Sequence, residues 1–145
     1  MHPFAAVVEF GSGNSTLWWA EKVASVVTVE HDPAWYDRIE ALAPSNVSII
    51  HATGQDYTRG ANGGKFDIIV VDGILRTECI EHSLAALKSD GVYVCDNTDE
   101  IGDRPGYDLL HQAGFKRLDF WGVGPQLPLE WCTSIFYRPN NILGI

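Results

Sequence analysis

Short apolar runs alternate along this chain with stretches of helical spacing, and that alternation constrains the fold more than any other feature. Ala5–Phe10, Val26–Glu30, Val47–His51, Phe66–Val71 and Val92–Cys95 read as strands. Leu17–Val23 and Glu78–Leu87 read as helices, and Ser89–Gly91 ends the second of them. Trp35–Leu42 carries helical spacing at Trp35, Ile39 and Leu42, with Pro33 where the helix starts. Gly106–Ala113 is a further helix, and the glycines of Arg59–Lys65 mark a loop. Strands that alternate with helices pair in parallel, and the helices then cover both faces of the sheet. The run Phe66–Val71 belongs at the centre of such a sheet. Lys116–Trp121 and Thr133–Tyr137 are strands with no helical pattern between them, so they are expected to pair antiparallel at one edge. The fold class is α/β: a doubly wound, mostly parallel seven-stranded sheet with an antiparallel edge hairpin, built as one domain over residues 1–145.

Composition narrows the partners. Ten Lys and Arg against nineteen Asp and Glu give a net charge of −9, which opposes adhesion to nucleic acid or to an anionic membrane. No run approaches the roughly 20 apolar residues of a membrane span, and the opening MHPFAAVVEF lacks the basic start of a signal peptide. Cys79, Cys95 and Cys132 are odd in number and form no CxxC pair, as expected of reduced thiols in a cytoplasmic protein without a zinc site. Cys95 within a strand reads as core.

In open sheets of this kind ligands sit beyond the carboxyl ends of the strands, where strand order reverses. The polar residues at those ends are Glu9 with the turn Gly11-Ser12-Gly13, then Glu30, Gln55-Asp56, Asp72 and Asp96-Asn97. A single Asp or Glu in such a place can equally cap a helix. Carboxylates that recur at successive strand ends point instead to a shared site. The turn GSGNST lacks the Lys followed by Ser or Thr of a phosphate-cradling loop, and Thr16 stands where a dinucleotide fold wants a third small residue. Glu9 in the approach is a poor neighbour for a pyrophosphate and a good one for a cation. A third reading stands beside those two: a ligand with a ribose, an adenine and a positively charged amino-acid portion, and no phosphate.

VVEFGSGNST resembles the first motif of the class I S-adenosylmethionine-dependent methyltransferases, VVTVEHD resembles their second-strand element, and FDIIVVDG their fourth. The resemblance implies that Glu30 takes both ribose hydroxyls. It places Glu9, Gly11, Ser12, Gly13, Ser15, His31, Gln55, Asp56 and Asp72 around the cofactor. A narrower resemblance is to the metal-dependent, catechol-type O-methyltransferases. Asp72, Asp96 and Asn97 stand at their ligand positions and imply Mg²⁺ or Ca²⁺, which hard oxygen donors favour. Those enzymes place a Lys three residues past the fourth-strand Asp; here that position is Leu75, followed by Arg76, which stays protonated and would clamp an anionic group. The expected reaction is methyl transfer to an oxygen, less readily a nitrogen, of a small molecule. Asp72, Arg76 and His82 are its candidate catalytic residues.

Departures from that family keep two rivals open: a non-catalytic domain of the same fold, suggested by the lack of lid helices before the first strand and of the Lys, and an NAD-dependent oxidoreductase, disfavoured by Thr16 and the edge hairpin. His51 and His111 read as structural. At least one of Trp18 and Trp19 belongs to the core, while Phe120, Trp121 and Trp131 either pack the edge hairpin or, if exposed, form a homodimer face.

Overall fold

Every residue of the strand Phe66–Val71 is buried, and the rest of the architecture serves to cover it. The computed structural model describes residues 5–124 and 128–145. Its strands are β1 (Ala6–Phe10), β2 (Ser25–Glu30), β3 (Val47–His51), β4 (Phe66–Val71), β5 (Leu87–Cys95), β6 (Lys116–Val123) and β7 (Glu130–Tyr137). They form one sheet in the order β3-β2-β1-β4-β5-β7-β6. The strands β1 to β5 pair in parallel. The edge pair is antiparallel, as its sequence suggests, and β7 takes the inner place between β5 and β6.

The helices are α1 (Asn14–Ala20), α2 (Pro33–Glu40), α3 (Gly54–Thr58), α4 (Arg76–Ser83) and α5 (Arg104–Gln112). The period-two geometry of strands divides the core. Val8 and Phe10 of β1, with Ile69 and Val71 of β4, pack against Tyr57, Cys79, Ile80 and Leu110. Val7, Ile68 and Val70 face the other way, against Trp19 and Ala20 of α1. Trp18, next in α1, is 48% exposed, so helical phase puts one of the two indoles inside. All three cysteines are buried and free. Asp32 caps α2 by accepting from the Trp35 amide at 2.8 Å, and Pro33 occupies the first turn.

Several segments differ from the sequence reading. The first helix spans Asn14–Ala20 rather than Leu17–Val23, starting directly after the glycine turn. Gln55 and Asp56 sit in the first turn of α3 rather than in a loop; five residues are too few for a periodic signal. The fourth helix starts earlier, at Arg76, and ends at Ser83, followed by a tight turn at Leu84–Ala86. Ser89–Gly91 do not end it but lie within β5. Phe66 pairs with Leu87 and Ile68 with Val92, so Lys88–Gly91 stand opposite Asp67 alone. The Lys88 ammonium reaches both Asp67 oxygens, at 2.9 and 3.0 Å, and fixes this irregularity. Among the described residues no helix is long and apolar enough to cross a membrane.

Candidate functional site

The chain steps outward from β1 to β2 and β3, then returns to lay β4 on the other side of β1. A crevice therefore opens beyond the ends of β1 and β4. Its floor is a pair of glycine turns packed back to back. Gly11 has φ +94°, and a Cβ there would come within 2.8 Å of the Gly73 backbone. A Cβ on Gly73 would meet the Tyr57 hydroxyl at 2.0 Å and the Phe10 carbonyl at 3.0 Å. Both glycines are thus required by the protein's own packing. Gly13 is different. Its backbone is extended and a Cβ would meet nothing closer than 3.9 Å, so the open space beside it serves no internal contact.

Strand parity decides where Glu9 goes. It shares a face with Val7 and runs beneath α1, where it is fully buried. The Ser15 hydroxyl donates to Glu9 Oε1 at 2.6 Å, and Thr16 donates to Oε2. Burial pushes the Glu9 carboxyl up to about 7, against the opposing pull of those two hydroxyls. Glu9 and Ser15 therefore brace α1 on β1 and do not face the crevice; the expected contact of Glu9 with a cation would have to pass through this layer.

Glu30, at the end of β2, is buried and saturated. Oε2 accepts from the Ser12 amide at 2.9 Å and the Ser12 hydroxyl at 2.7 Å. Oε1 accepts from the His31 and Asp32 amides at 2.8 and 2.9 Å, and His31 Nδ1 lies 3.1 Å away. Burial works to raise its pKa, but these donors outweigh it and hold Glu30 below the usual carboxylate range. The Trp35 indole N–H donates to the Ser12 carbonyl at 2.6 Å and fixes the turn from α2. Gln55 and Asp56 are exposed at the neighbouring rim.

A cavity of about 550 Å³ adjoins the crevice, lined by Asp72, Asp96, Asn97, Thr133 and the hairpin residues Phe120–Gly124 and Trp131. Burial, and next the neighbouring Asp96 carboxylate, push Asp72 up to about 6. Thr133 donates to Asp96 Oδ1 at 2.5 Å. Arg76 is used internally: its guanidinium donates to the carbonyls of Gly73 (2.9 Å) and Asp96 (2.7 Å) and to Asn97 Oδ1 (3.2 Å). It clamps two strand-end turns together instead of reaching for a substrate anion. The same bond fits a divalent ion poorly at Asp72, Asp96 and Asn97, since the Asn97 oxygen already accepts from a cation. Among the described residues no group of three or more His, Cys, Asp or Glu is placed to hold a metal.

His82 stands apart. It lies in the last turn of α4, which runs back toward the amino end of β4; its Nδ1 is 2.9 Å from the Thr58 hydroxyl, and it borders Asn62–Lys65. That placement removes it from the reacting end of the sheet. The hairpin aromatics, read from sequence as packing or as a dimer face, instead wall the cavity, with Phe120 52% and Trp121 61% exposed. Tyr57 and Thr133 have no signal in the sequence, whereas Thr16 is read there only as an obstacle to a dinucleotide and Trp35 only as a position of helical spacing.

Comparison with known proteins completes the description. The profile of a family described as a methyltransferase domain matches residues 8–98. Comparison with curated proteins finds no match. Among solved structures, spermidine synthase from Thermotoga maritima superposes with a TM-score of 0.71 at 18% identity, over 97% of this chain and 55% of that one. The chain thus spans about half the length of that enzyme. Precorrin-6y C5,15-methyltransferase from Geobacter metallireducens GS-15 gives 0.73 at 14% identity, over 95% of this chain and 82% of that one. A putative caffeoyl-CoA O-methyltransferase from Staphylococcus aureus gives 0.66 at 17%, over 91% and 76%. At these identities the likeness is one of fold.

Proposed function

The chain belongs to the methyltransferase-domain family, and from that membership we propose that it binds S-adenosylmethionine and transfers its methyl group to a small molecule seated in the aromatic-walled cavity. The observation that carries the reading is the contrast between the two turn glycines. Gly11 is needed by Gly73, whereas the space beside Gly13 is needed by nothing in the protein and lies on the turn that Glu30 grips through Ser12. Glu30 would hold the ribose hydroxyls, with the Ser12 hydroxyl swinging aside to free one acceptor site. His31, Gln55 and Asp56 would border the adenine, and Asp72 would lie toward the positively charged end. When bound, the cofactor supplies a methyl carbon to which the acceptor's lone pair bonds as the carbon–sulfur bond breaks, the electron pair returning to sulfur and the acceptor's proton passing to water.

The protein's part is placement. Arg76 locks the ends of β4 and β5 so that the cavity wall and the crevice keep their relation, and the hairpin excludes water from one side. Metal-assisted activation finds no support in the donor set. Calorimetric titration with S-adenosylmethionine, S-adenosylhomocysteine and NAD tests the cofactor class: binding of the first two alone is expected, and binding of NAD alone would overturn it.

A further inference from the structure

The described lining of the cavity holds two carboxylates, Asp72 and Asp96, and no Lys, Arg or His. Asp96 spends one oxygen on Thr133, and the Asp72 and Asp96 carboxyls lie within hydrogen-bonding reach of each other, so two like charges crowd one corner of the cavity with no basic side chain in its described lining. Arg76 offsets part of this repulsion at Asp72 by its charge but directs its hydrogen bonds to carbonyl oxygens. On the face that carries Thr133, the hairpin brings Phe120 and the half-buried Trp131 to the same cavity, and Phe120 is 52% exposed. A volume near 550 Å³ is in the range of small-molecule sites.

We propose that this cavity selects an organic amine in its protonated form, with the ammonium between Asp72 and Asp96 and an apolar or aromatic body against Phe120 and Trp131. As a methyl acceptor the bound ammonium first gives one N–H proton to water, which frees the nitrogen lone pair that bonds to the methyl carbon as the carbon–sulfur bond breaks; that identity rests on the functional reading above, whereas the binding preference rests on the cavity alone. Carboxylates and aromatic faces both attract an organic cation, the first by charge-assisted hydrogen bonds and the second through the ring quadrupole. A carboxylic acid would meet two like charges, and an alcohol or phenol would leave both carboxylates unneutralised. A bare divalent ion would use the carboxylates but not the wall, and would compete with Arg76 for Asn97. The net charge of −9 further favours arrival of cations. The oxygen acceptor expected from sequence was tied to metal-dependent relatives, and that tie is what the Arg76–Asn97 bond loosens.

Equilibrium binding of three isosteric probes tests the proposal: 2-phenylethylamine, 2-phenylethanol and phenylacetate, each titrated into the full chain alone and saturated with S-adenosylhomocysteine. The amine should bind at least about tenfold more tightly than the alcohol, consistent with one or more charge-assisted contacts, and phenylacetate should not bind. Asp72→Asn removes one of two crowded like charges, so the melting temperature should not fall; the amine's advantage should fall below about threefold while alcohol binding is unchanged. Phe120→Ala, at an exposed position on the Thr133 face, should weaken amine and alcohol together. Equal binding of amine and alcohol to the wild type, preference for phenylacetate, or an amine preference that survives Asp72→Asn overturns the proposal. The two readings separate cleanly. S-adenosylhomocysteine binding without amine preference sinks the amine and leaves the methyltransferase; amine preference without S-adenosylhomocysteine binding does the reverse.

Discussion

Glu9 and Glu30 end neighbouring strands, yet their carboxyl groups are displaced in opposite directions. Glu30 meets four donors, which hold it ionised against the opposing effect of burial. Glu9 is sealed beneath α1 and its pKa rises to about 7 from 4.5. Between those two values the folded state keeps a proton that the unfolded chain has lost, so stability falls as pH rises through this window. Glu9→Gln lacks that dependence. Its stability relative to wild type should improve by on the order of 2 kcal/mol between pH 4.5 and 7 and level off above; a difference that stays constant in paired thermal melts would show that Glu9 does not titrate there. At Glu30 the expected change is in affinity. Glu30→Ala should weaken S-adenosylhomocysteine by about 2 to 3 kcal/mol in calorimetry, the worth of charge-assisted bonds to a ribose. Unchanged affinity in a folded mutant would remove Glu30 as the anchor.

The β1–α1 turn separates structural from functional need within three residues. Gly11→Ala drives a Cβ into the Gly73 backbone at a φ that side chains rarely adopt, and should cost about 2 kcal/mol or more of stability. Gly13→Ala meets no such contact. It should change stability by less than about 0.5 kcal/mol yet weaken S-adenosylhomocysteine about tenfold or more by filling the space beside the turn. Wild-type affinity in Gly13→Ala would make that space incidental. Strands were legible in sequence because their apolar runs are short and sharply ended, and the glycine turn because its residues admit few backbone shapes. Parity told that Glu9 opposes Phe10 across the sheet, but not which of the two faces lies under α1. His82 could have been placed better: a helix that follows a parallel strand runs back along it, so a residue in its last turn ends far from the strand's carboxyl end. The five-residue α3 and the irregular start of β5 left no periodic trace. The cavity wall comes from a hairpin whose long-range pairing with β5 no local pattern encodes.

At the scale of the whole molecule, the acidic surface and the engaged Asn97 predict how salts act. Millimolar Mg²⁺ or Ca²⁺ should raise the melting temperature no more than NaCl of equal ionic strength, by screening alone. A larger, saturable rise that Asp96→Asn abolishes would restore a specific metal site. The place of β7 inside the sheet reaches further, into how the chain is made. β5 finds its outer neighbour only after β6 has been synthesised and passed over, since β7 pairs Ser134–Phe136 with Tyr93–Cys95. On the ribosome, a nascent chain ending at Val123 would therefore carry a finished crevice for the nucleoside beside a bare, apolar β5 edge. Such an edge invites pairing with other chains. Late closure of β7 both seals that edge and raises the aromatic wall, so fluorescence from Trp121 and Trp131 should mature in the last phase of refolding, after the signal of Trp19 in α1.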